Sequence, residues 1–104
     1  IRLEFSGSST KGVPIPLVIA SRPLVSTPEE ATRLQRPIVY IQANIHAGEV
    51  EGKEAALALL RDASLPTNPL LDKVVLIVQP IYNIDGNDAF GPQERNRPGQ
   101  NGPA

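Results

Sequence analysis

The stretch PIVYIQANIHAGEVEGKEAALALLRD, residues 37–62, and the run KVVLIVQPI that follows it at residues 73–81 together decide the fold. From Pro37 to Ile45 the chain is nearly continuous in apolar side chains through Ile38, Val39, Tyr40 and Ile41, the pattern of a strand covered on both faces and ending at His46. From Glu49 to Asp62, Val50, Ala55, Leu57, Ala58 and Leu60 recur among good helix formers. That spacing predicts a helix of about fourteen residues, closed by the cluster Pro66, Asn68 and Pro69. Lys73 to Ile81, with Val74, Val75, Leu76, Ile77 and Val78 in succession, predicts a second buried strand. Strand, helix, strand in this order is a right-handed βαβ unit, so the fold class is α/β, a mixed β-sheet with helices packed on it.

Outward from this unit the signals weaken but remain readable. Ile1 to Phe5 alternates apolar and polar residues, and beyond a Ser/Gly turn cluster Ile15 to Ile19 is rich in aliphatic side chains, which predicts two opening strands. Ser26-Thr27-Pro28-Glu29-Glu30 supplies a capping hydroxyl, a proline for the first helical position and acid for the first turn, so a short helix is expected to about Gln35. Residues 90–104 hold three Pro and three Gly without periodicity and read as a loop. With no internal repeat and no interior linker, residues 1–104 form one domain unit.

Composition narrows the function classes. In 104 residues, 40% hydrophobic and 20% charged side chains are enough for a folded core and too apolar for a disordered chain. Ten basic and eleven acidic residues leave a formal charge of -1 and no basic patch, which argues against nucleic acid or an anionic membrane as a partner. No apolar run approaches the length of a membrane span. The sequence starts at Ile1 without an initiator Met, so a processed or excised piece is expected, compatible with a removed secretion signal. The absence of cysteine rules out a disulfide framework.

Chemistry concentrates where the first strand of the βαβ unit stops. In open α/β sheets, functional groups gather beyond the carboxyl ends of the strands. There, Asn44-Ile45-His46-Ala47-Gly48-Glu49 places an imidazole and, three residues on, a carboxylate across a turn tightened by Gly48. Both groups bind zinc at about 2.0–2.2 Å, and a catalytic site takes three protein ligands plus water. A surface histidine beside a glutamate that complements a helix dipole fits the same four residues. Glu51 is expected to point away into solvent.

IQANIHAGEVEGKEAALALLR, residues 41–61, together with QPIYNIDGNDAFGPQERNRPGQNGPA, residues 79–104, resembles the zinc carboxypeptidases related to carboxypeptidase A, and the likeness extends over nearly the whole chain. The resemblance implies a partial zinc-carboxypeptidase fold, the N-terminal portion of a catalytic domain, with His46 and Glu49 as ligands of Zn2+. It aligns Asn83-Ile84-Asp85-Gly86 with the family's Asn-Pro-Asp-Gly segment, Ile84 replacing proline, and the residues themselves read as a polar turn after a strand. The family's second zinc histidine and its general-base glutamate lie further along than Ala104, and His46 is the only histidine here.

The same likeness gives one arginine of the closing segment the task of polarising the scissile carbonyl and holding the charge that develops on its oxygen. Arg97, beside Asn96, is the first choice and Arg95 the second, while solvated side chains are the plainer alternative for both. The implied reaction is hydrolysis of a C-terminal peptide bond, with a peptide or protein C-terminus as substrate, in a secreted or periplasmic setting. Two other functions fit the residues: a zinc deacylase or desuccinylase acting on small N-acyl amino acids, and a non-catalytic module that only packs against other chain. The 104 residues alone are expected to be inactive, to hold zinc weakly and to leave apolar strand faces uncovered.

Overall fold

A computed structural model describes residues 1–88. Residues 90–104, with their expected loop, and both Arg95 and Arg97 lie outside the described residues. Four strands form one mixed sheet: β1 (Arg2–Ser8), β2 (Pro14–Ala20), β3 (Ile38–Gln42) and β4 (Val75–Gln79), in the order β1-β2-β4-β3. β1 and β2 are an antiparallel pair, β2 runs antiparallel to β4, and β3 runs parallel to β4 with Ile38 opposite Val75 and Gln42 opposite Gln79. The helix α2 (Glu51–Ala63) connects β3 to its parallel neighbour β4, which is the expected βαβ unit.

The alternation of side chains along β4 divides the core in two. Leu76 and Val78 point to one face, where they meet Ala20 and the stripe Ala56, Leu60 and Ala63 of α2. Val75 faces the other way and packs with Val25 and with Ala31 of α1 (Pro28–Arg33), joined by Ile19, Leu34 and Ile77. β4 is therefore the covered strand that the sequence predicts. Around α2 the buried positions are spaced by four and three residues, as one face of a helix requires, and Leu57 falls on the exposed side.

β3 departs from expectation. It stands at the edge of the sheet and is not covered on both faces: Ile38 is 50% and Tyr40 51% exposed. Its apolar run is as continuous as that of β4, but no strand pairs with its outer side among the described residues. It also stops at Gln42, short of His46, because Asn44 turns into the left-handed region with φ 57.

The predicted start of α1 holds: Thr27 is the N-cap, its hydroxyl accepting from Glu30 N at 3.1 Å, and Pro28 follows at the first helical position. Glu30 Oε2 accepts in turn from Ser26 N at 2.6 Å, so two donors at the helix entry are satisfied. Two further short helices, α3 (Leu70–Lys73) and α4 (Ile84–Asp88), stand before and after β4. The polar turn expected from Asn83 is thus one turn of helix, with Asn83 Oδ1 accepting from Gly86 N at 3.0 Å. Ile84 occupies its first position, where a proline costs nothing because that N–H has no helical partner. No helix among the described residues is long and apolar enough to cross a membrane.

Candidate metal centre

Parallel strands place the ends of β3 and β4 side by side, and the segments that leave them stay paired. Tyr82 N donates to Ala43 O at 3.0 Å and Asn83 N to Asn44 O at 3.0 Å. His46 and Glu49 lie on the first of these segments, beyond the carboxyl end of the sheet, as expected.

A compact turn sets their geometry. Gly48 adopts φ 82, a conformation that a side chain disfavours, and Glu49 N donates back to His46 O at 3.2 Å. Val50 N then donates to Gly48 O at 3.1 Å, and the first helical bond of α2, from Glu54 N to Val50 O, comes only after that. The helix consequently begins at Glu51, and Glu49 sits in the turn before it instead of in its first turn. Gly52 completes the packing: a Cβ there would lie 3.2 Å from the Cβ of Ala43, so its absence lets α2 start close against the end of β3.

The turn brings the two side chains together. His46 Nδ1 lies 3.1 Å from Glu49 Oε2, which also accepts from His46 N at 3.2 Å. The imidazole is 43% exposed and the carboxylate 20%, so the pair opens to solvent on one side. Two ligand atoms on one tetrahedral zinc at about 2.0–2.2 Å stand roughly 3.4 Å apart, close to the spacing found. An imidazole nitrogen and a carboxylate oxygen also form a donor set that suits zinc. The pair thus fits two positions of a zinc site. Among the described residues no group of three or more His, Cys, Asp or Glu side chains could hold a metal ion. Glu51 is exposed, as expected.

Two residues of this end have contacts that the sequence does not reveal. Asn44, only 3% exposed, donates from Nδ2 to the carbonyls of His46 at 2.9 Å and Glu49 at 3.3 Å. An asparagine inside an otherwise apolar run is the available signal, since Asn enters the left-handed region more readily than most residues. Asp85 ties the loop after β4 to the turn between β1 and β2: Ser9 Oγ donates to its Oδ1 at 2.6 Å and Lys11 N to its Oδ2 at 3.2 Å. Between these segments opens a pocket of about 580 Å³ whose lining includes Ser6, Ser9, Ile45, Gln79, Tyr82 and Asp85. Its size suits a small ligand.

A parallel βαβ unit with a His-x-x-Glu turn beyond its strands marks an α/β protein. The chain belongs to the zinc carboxypeptidase family, whose pattern matches residues 1–102. A solved structure of bovine thrombin-activatable fibrinolysis inhibitor, in complex with tick carboxypeptidase inhibitor, is similar in fold with a TM-score of 0.65 at 18% identity. That alignment covers 97% of this chain and 33% of the other, so the chain spans about a third of the length of the structure it matches. Among curated proteins, none matches by sequence. The sheet and its helices are therefore part of a carboxypeptidase fold, and the lineage is that of a metallopeptidase.

Proposed function

We propose that residues 1–104 are the N-terminal portion of a zinc carboxypeptidase catalytic domain and that His46 and Glu49 supply two of its metal ligands. The observation that carries this reading is the 3.1 Å approach of His46 Nδ1 to Glu49 Oε2 at the carboxyl end of a parallel pair of strands. His46 is the sole histidine of these 104 residues, so a second imidazole ligand would come from outside them.

When bound, zinc would acidify a water molecule and polarise the scissile carbonyl. His46 and Glu49 would hold the ion through the imidazole and the carboxylate, on a turn whose two carbonyls accept from the Asn44 amide. Arg97, or Arg95 in its place, binds the substrate and stabilises the negative charge growing on the carbonyl oxygen. The substrate is the C-terminus of a peptide or protein, and a secreted or periplasmic setting accords with the family.

Metal content of the whole protein by plasma mass spectrometry, alongside release of C-terminal residues from blocked peptides, tests this. One zinc per chain and peptide hydrolysis are expected in the wild type, with both lost in His46→Ala and Glu49→Ala. Zinc retained in full by both variants would remove these residues from the metal site. Cleavage of N-acyl amino acids but not of peptides would keep the site and change the substrate.

A further inference from the structure

Asn44 spends a buried amide on the turn that carries the two proposed ligands. Its Nδ2 spans the first and last carbonyls of the segment from His46 to Glu49, at 2.9 and 3.3 Å, while its own carbonyl accepts from Asn83 N at 3.0 Å. Only the NH2 end of an amide donates, so these partners fix which way the group faces. Among the described residues, the arrangement leaves Oδ1 buried without a hydrogen-bond partner. Stranding an acceptor in this way is unfavourable. Glycine would satisfy φ 57 more easily and would strand nothing. The two carbonyl bonds are what the asparagine adds.

We propose that Asn44 is a positioning residue of the metal site: by clamping the carbonyls of His46 and Glu49 with one amide, it holds the imidazole and carboxylate in their converged arrangement before a cation arrives. This rests on the reading of His46 and Glu49 as metal ligands. A ligand pair already in place needs little reordering on binding, and partners that orient ligands typically change metal affinity roughly 10- to 100-fold when removed.

The test compares zinc affinity, by competition with a chromophoric chelator, in the whole wild-type protein and in Asn44→Gly, which permits the same backbone and removes the amide. Affinity is expected to fall about tenfold or more. Leu76→Ala, which loosens the core away from the turn, is expected to change affinity by less than about twofold while lowering the melting temperature, so that general destabilisation is separated from positioning. Asn44→Leu, similar in size, uncharged and unable to donate, is expected to lose affinity too and serves if the glycine variant folds poorly. Wild-type affinity in Asn44→Gly, or in a folded Asn44→Leu, would overturn the proposal and leave the metal site standing. A wild type that binds no zinc, or that binds it as tightly after His46→Ala, would overturn the metal site and the proposal together.

Discussion

β3 and β4 have nearly the same apolar character and opposite surroundings. β4 lies between β2 and β3 with helices on both faces, and Val75 and Val78 are wholly buried, whereas β3 carries Ile38, Val39 and Tyr40 exposed at the sheet edge. Apolar composition reports how much cover a strand is suited to, and neighbours decide how much it has. The contrast also separates two duties. β4 anchors the core, while β3 delivers the turn of His46 and Glu49 to the end of the sheet.

The largest effect expected on this contrast is that of Leu76→Ala. It opens a cavity where α2 meets the sheet and should cost about 2–4 kcal/mol in urea unfolding. A loss below about 1 kcal/mol would show that β4 is not the anchor. Val78→Thr, which places a hydroxyl in the same buried layer, should cost about 1–3 kcal/mol in the same measurement. Val39→Thr is the matching change in β3 and should stay within about 0.5 kcal/mol, as surface substitutions do. Equal costs at positions 39 and 78 in the whole protein would break the comparison and mean that chain outside the described residues covers β3.

Much of this was legible because local chemistry set it. Thr27 and Pro28 announced α1, the βαβ order announced the parallel pair, and His46 with Glu49 announced the convergent turn. The strand order was not legible, since inserting β4 between β2 and β3 depends on residues far apart in sequence. Starting α2 at Glu49 was an error of two residues, because the bonds from Glu49 N to His46 O and from Val50 N to Gly48 O close a turn before the helix begins. The role of Asn44 is not legible in the sequence, because an amide reaching two carbonyls is encoded by no periodicity.

The bond between Ser9 and Asp85 bears on the order in which the chain folds. β3, α2, α3 and β4 follow one another along the chain, so the turn carrying His46 and Glu49 belongs to a unit whose strand pairing, Ile38 with Val75, closes a shorter loop than Ser9 with Asp85 does. Ser9 and Asp85 are 76 positions apart, and closing that loop carries an entropic cost that rises with length. The pair His46 and Glu49 is therefore expected to assemble early, and the wall that Ser9 and Asp85 build beside it late. In pulsed hydrogen exchange, the amide of Glu54 in α2 should gain protection before that of Lys11, which waits for Asp85.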